Sequence, residues 1–342
     1  MFPETLSLDS VSVLLVWTAI LIYALAFVAY SFDIAFRSSP QPVAARATVR
    51  EPALVGAAAA SAATGILGLE EAAASASSDS PKRARPMWAR IGTSLTWLAF
   101  VFHLGATVLR GVAAERVPWS NMYEFALTGT LLITAVYLAV LIRYDLRFLG
   151  TFMVGLVVVL LGGSTLGYYV EVVPLMDPLK SVWLVIHVFV ASLATAFFAL
   201  AFAISVLQLL QARRERATAR RAKAEKRPRT LRILLMIPGA ETLETLAYRF
   251  VVIGFAFWTF TLIAGAIWAQ ESWGRYWGFD TKEVWTFIIW VVYAGYLHAR
   301  ATRGWRGTRS AWLAIVGFLT VLFNFSIVNV FFKGLHAYSG LS

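Results

Sequence analysis

Four histidines, at positions 103, 187, 298 and 336, are the imidazoles of a 342-residue chain that has no cysteine. Without a thiol the chain has no disulfide, no thiolate metal site and no thiol relay of its own. Between Trp268 and Trp285 stand four tryptophans with Tyr276 and Phe279, mixed with Gly274, Gly278, Asp280, Lys282 and Glu283. An interfacial aromatic belt accounts for two or three such rings, but not for this density among small and charged residues. Flat aromatic walls and small residues suit a flat, apolar ligand, and Arg275 or Lys282 suits a carboxylate on it. Haem meets these demands, and two histidines beside one aromatic pocket would ligate its iron.

The elements that must position these residues follow from composition. The chain is 59% hydrophobic and 14% charged, with a mean hydropathy of +0.70, whereas a soluble domain carries about a quarter charged residues. Lipid is therefore the solvent, and the expected class is an all-α polytopic integral membrane protein. Apolar runs long enough to span lie at about 10–32, 91–110, 122–142, 147–163, 181–210, 247–270, 283–300 and 310–332. The fourth is short and glycine-rich and suits a tilted or partly re-entrant segment. The acidic start (Glu4, Asp9) and a first run of spanning length read as a retained helix, residues 1–37, rather than a cleavable leader. Residues 38–86 are Ala/Ser/Pro-rich and too poor in apolar side chains for a core. Residues 211–235 form a basic linker.

The formal charge of +11 sits between apolar spans, which favours an anionic membrane surface over nucleic acid. With both termini outside, the loops at 33–90, 143–147, 211–249 and 300–309 are cytoplasmic. They hold every Lys and Arg except Arg110, Arg116, Lys180, Arg275, Lys282 and Lys333. The positive-inside rule thus fixes the orientation and an even number of spans.

That orientation puts His187, about two turns into the fifth span, and His336, just beyond the eighth, on the same outer side as the aromatic loop. Each alone has a structural explanation, but beside the tryptophans the ligand reading is the better one. His298 lies near the cytoplasmic end of the seventh span. Locally His298 reads as an interfacial residue beside the cytoplasmic arginines. His103 lies roughly 18 Å above the same end at the α-helical rise, too far to share one iron with it, so if His298 binds iron its partner ligand comes from another protein. In Pro118–Glu124, Pro118 with Ser120 or Asn121 reads as a turn and helix cap, with Glu124 in the first turn.

These stretches resemble a known family. Residues 273–285 resemble the tryptophan-rich "WWD" signature of haem-handling proteins, most closely the CcsA/ResC family of System II cytochrome c biogenesis. Pro118–Glu124 is similar to its Pro-x-x-Asn-x-Tyr-Glu motif. Trp183–His187 and Gly334–Tyr338 are similar to its two external histidine motifs, and Tyr296–His298 to its transmembrane histidine. The likeness runs from about residue 91 to the end, in a haem-handling membrane domain at 87–342 with the external loop at 268–285. Phe279 departs from the signature, which usually has Trp before the Asp, and Phe125 stands where relatives often have Ser.

The resemblance implies haem b as the group handled, with His187, His336 and His298 as axial ligands and Trp273, Trp277, Asp280 and Trp285 in the binding loop. It implies haem entry at His298, transfer to the external site, and presentation to the Cys-x-x-Cys-His segment of an apocytochrome c. The chain would be the haem-handling subunit of a cytochrome c synthase in the bacterial plasma membrane, working with a CcsB/ResB-type membrane protein. The alternatives are a haem-handling protein of the System I route, a membrane haem electron carrier, which needs histidine pairs at matched depth, and a solute transporter, which needs polar groups near the midplane.

Overall fold

The computed structural model describes residues 7–38, 87–175, 177–223, 237–302, 304–332 and 334–335. The regular structure among them is helical. Helix α1 is Leu8–Ser38, α2 Met87–Ala114, α3 Met122–Arg143 and α4 Gly150–Gly167, entered through a short 3-10 turn at Arg147–Leu149. Helix α5 is Val182–Lys223, α6 Ala240–Trp273, α7 Thr281–Thr302 and α8 Thr308–Phe323. The last continues through a π-helical segment, Asn324–Val328, into Asn329–Phe331.

Seven of these, all but α7, are long and apolar enough to cross a membrane. The short fourth apolar run is among them, its helix lengthened by Arg147–Leu149. Helix α7 has the length, at 22 residues, but carries Lys282, Glu283, His298 and Arg300. The chain is a multi-pass helical membrane protein.

Helices in lipid gain little from hiding apolar surface from one another and rely on close packing of small residues. Helices α5 and α6 follow that rule. The face of α5 that carries Phe198 also buries Ala194, Ala201 and Ser205. Against it stand Ala247, Gly254, Ala264 and Ala269 of α6, and a Cβ on Gly254 would fall 2.8 Å from the Phe198 ring. Helices α1, α2 and α4 form a second group, and α3 joins the two by packing on α4 and α5. Leu14, Leu21, Val101 and Trp312 point outward, as lipid-facing residues do.

Tyr30 is the pin of the α1–α2–α4 group. Its ring is held between Gly92 and Gly150, and a Cβ on Gly150 would stand 2.5 Å from its Cε1 and Cζ. Its hydroxyl is hydrogen-bonded to Thr93 Oγ1 at 2.9 Å. Gly150→Val should therefore overpack the site and cost about 1–3 kcal/mol, read as a lower thermal midpoint in detergent.

Residues 211–223 of the expected basic linker are helical, because α5 runs on to Lys223; the rest of it, 224–235, lies outside the described residues. Arg, Lys, Ala and Glu are good helix formers, and the extension has work to do. Glu215 Oε1 accepts from the Ala240 amide at 3.1 Å, and Gln211 Nε2 donates to the Ile237 carbonyl at 3.4 Å. Both tie the start of α6 to α5. At this basic end Glu244 also accepts from Arg300 at 2.6 Å and from the Gly307 amide at 2.8 Å, joining α6, α7 and α8.

Candidate functional site

The opposite end of the bundle is assembled by a buried ionic cluster. Asn121 is the N-cap of α3, its Oδ1 accepting from the Glu124 amide at 2.8 Å. That leaves the Glu124 carboxylate free to turn sideways. It accepts from Arg110 Nε at 3.0 Å, Arg116 Nη1 at 2.6 Å, and the Ser120 amide and hydroxyl at 3.0 Å. Arg110 also reaches Asp9 at 2.6 Å and the Val170 carbonyl at 2.7 Å. Glu124 and Arg110 are wholly buried. The Glu124 carboxylate and the Arg110 guanidinium together thus fasten the start of α1, the end of α2, the start of α3 and the chain after α4. Tyr169 donates to Asp9 at 2.9 Å. Burial, and then the neighbouring Asp9 carboxylate, raise its phenol above the ordinary value.

This cluster supports one wall of a cavity of about 260 Å³ between α3, α5, α6, α7 and α8. His187 stands in the wall of α5. Its Nδ1 donates to the Thr261 carbonyl of α6 at 2.9 Å. A carbonyl only accepts, so Nδ1 carries a proton, and in the neutral ring Nε2 then carries the lone pair, the tautomer that imidazole ligands use when a backbone acceptor orients them. The ring stacks on Trp268, centroids 5.9 Å apart and planes 24° apart. It fits against α6 because residue 265 is glycine: a Cβ there would lie 2.7 Å from Cε1 and 2.8 Å from Nδ1.

Facing His187, Phe125 stacks on Phe325 at 5.5 Å, and Asn121 and Asn324 line the same space. Asn121 Nδ2 and Asn324 Oδ1 are buried without a hydrogen-bond partner among the described residues. The cap fixes which way the Asn121 amide points, so its NH2 is a committed donor. Lys282 Nζ, at the start of α7, donates to the Asn324 carbonyl at 2.8 Å. The π segment beginning at Asn324 is of the kind often found at functional sites.

The tryptophan-rich loop closes this end. Helix α6 stops at Gly274, in the left-handed region at φ 69°, with its amide on the Gln270 carbonyl at 2.9 Å. Arg275 folds across Gly278, where any side chain would collide with the guanidinium. Phe279 is also left-handed, at φ 57°, and is 80% exposed. Trp277 lines the cavity. Trp273 instead packs on the lining residue Trp268 at 4.9 Å, and Trp285 on Phe323 at 4.5 Å.

Asp280 is behind the wall, and its carboxylate is engaged. Oδ2 accepts from the Lys282 amide at 3.2 Å, while Glu283 Oε2 accepts from the Asp280 amide at 3.1 Å. This reciprocal pair is a capping box on α7. Oδ1 accepts from the Leu335 amide at 2.9 Å, next to Gly334, where a Cβ would collide with that oxygen. His336 itself lies outside the described residues.

The other two histidines part company. His103 is buried on α2, with Nε2 2.9 Å from the Leu127 carbonyl and Nδ1 3.4 Å from the Tyr23 hydroxyl. Both nitrogens are used in packing α1, α2 and α3. His298 is exposed, one turn from the basic end of α7. Sequence reasoning did not single out Thr261, Gly265, Trp258, Asn324 or Phe325. Their role depends on how helices face one another, which no local pattern records.

Fold and site together define a multi-pass helical protein with an aromatic, histidine-bearing chamber at one end. The family model described as "Cytochrome C assembly protein" matches residues 119–336. The chain is 36% identical over 272 residues to a "Cytochrome c biogenesis protein CcsA" of Guillardia theta, covering 74% of this chain and 86% of the relative. It is 32% identical over 302 residues to the protein of that name in Gloeobacter violaceus, covering 76% and 89%. Among solved structures it is similar to "Cytochrome c Heme Lyase CcmF", with a TM-score of 0.58 at 16% identity, over 95% of this chain and 48% of that one. That likeness is one of fold, and the chain spans about half the length of that protein. The chain belongs to the cytochrome c assembly protein family.

Proposed function

We propose that the chamber holds haem b and presents it for covalent attachment to an apocytochrome c. The observation that carries this is His187, locked in the Nε2-ligand tautomer by the Thr261 carbonyl and set in the wall of an aromatic cavity. The rest of the cavity fits the same group. Phe125, Phe325 and Trp277 offer flat contacts, and the unpartnered Asn121 amide offers a donor to a haem carboxylate. His336 would supply the second imidazole to the iron.

Two imidazoles would saturate the iron, and the histidine of the Cys-x-x-Cys-His segment could release the product by displacing one of them. Each substrate thiol adds across a vinyl group: the sulfur bonds one carbon, the proton ends on the other, and nothing leaves. This chain's residues contribute position rather than acid–base chemistry.

His298 serves an inner site. It is exposed on α7, so its partner ligand belongs to a second membrane protein of the CcsB/ResB type, in the bacterial plasma membrane with both termini of this chain outside. His103, with both nitrogens engaged inside the fold, is structural.

The test is to purify the chain with and without that partner and record oxidised and reduced haem spectra. A bis-histidine spectrum is expected in the complex, altered by His336→Ala and unchanged by His103→Gln. A His298→Ala effect should appear only when the partner is present. A haem-free wild-type complex, with the variants still maturing cytochrome c, would overturn the proposal.

A further inference from the structure

The tryptophan-rich loop and the C-terminal histidine motif are two segments of sequence 55 residues apart at their point of contact. Among the described residues they meet at the Asp280 side chain. Asp280 uses Oδ2 to cap α7 and Oδ1 to accept the Leu335 amide, the residue before His336. Gly334 permits the approach, since a Cβ there would occupy the place of the carboxylate oxygen. The carboxylate lies behind the cavity wall rather than in it.

We propose that Asp280 is a positioning residue, a latch that fixes the segment carrying His336 against the loop and so sets where that imidazole stands. This rests on the assignment of His336 as a haem ligand, but the latch itself exists without haem. A carboxylate suits the role because it alone presents two acceptor oxygens to two backbone donors. Serine keeps an N-cap but has one short acceptor, so Asp280→Ser separates capping from latching, whereas Asp280→Ala removes both. Gly334→Ala leaves the carboxylate intact and blocks the approach.

The chain has no cysteine, so a nitroxide attached at Ala337→Cys reports on this segment alone. In the full-length, haem-free protein its spectrum should be broad, as for an immobilised label, and should sharpen in Asp280→Ser, Asp280→Ala and Gly334→Ala. Unchanged line shapes would overturn the latch whether or not haem binds. In the haem-loaded complex the same three variants, without the label, should lose the six-coordinate low-spin signal and regain it on adding imidazole, which substitutes for a displaced His336. Retention of the low-spin signal in the variants, or haem loss that imidazole does not reverse, would overturn the positioning role. A wild-type complex without a six-coordinate signal would instead overturn the ligand assignment, leaving the spin-label result to decide the latch.

Discussion

Gly265→Val should abolish haem retention at the outer site while leaving every histidine in the chain. The first atom of the new side chain would meet His187 at 2.7 Å. The imidazole has no slack, being held by the Thr261 carbonyl at 2.9 Å and the Trp268 ring. It must swing away from α6, breaking the bond that sets its tautomer. Displacing a reacting group by about 1 Å is enough to cost roughly a hundredfold in rate, so cytochrome c yield should fall at least that far. His187→Ala should give the same loss by deletion, and Gly265→Ala a smaller one. Haem per purified complex and cytochrome c yield are the measurements. Normal values for Gly265→Val would mean that His187 has no part in holding haem.

Glu124→Ala should be the most damaging substitution for the fold. It leaves Arg110, wholly buried, with one carboxylate where it had two, and removes the partner of Arg116 at 2.6 Å. Breaking a buried pair by deleting one member costs about 3–5 kcal/mol. Thermal unfolding in detergent, with membrane yield, should show it, and Glu124→Gln should fall between the alanine variant and wild type because it keeps one acceptor. A midpoint equal to wild type would mean that the cluster forms without its central acid.

The helices were legible because lipid imposes length and apolarity on every span, and each expected run is helical over nearly its whole length. Their ends were less so. The extension of α5 beyond 210 is held by contacts of Gln211 and Glu215 with another helix, and such partners leave no mark on local sequence. His187 and Trp277 share the cavity wall because topology and composition already placed them on one side. Asp280-Thr-Lys-Glu283 has the spacing of a capping box, so the helix start at Asp280 is legible in the sequence, whereas its bond to the Leu335 amide is not. Asn121 was legible as a cap, but the ion cluster around Glu124 joins Asp9, Arg110 and Arg116 across three helices. Gly265 was invisible, being one glycine among 23 until its neighbour on α5 is known.

The π segment at Asn324–Val328 has a bearing on everything that follows it. An α-helix turns each residue by about 100°, and a π turn takes up one residue more than an α turn. The segment therefore acts as a phase shifter between the wall of α8 and the C-terminal stretch. Removing a single residue there would leave composition, charge and hydropathy almost untouched. It would rotate the stretch from Asn329 onward by about a quarter of a turn, carrying Gly334 and Leu335 away from Asp280. The register of this helix is thus itself a determinant of the site, one that is indifferent to most substitutions and acutely sensitive to deletion.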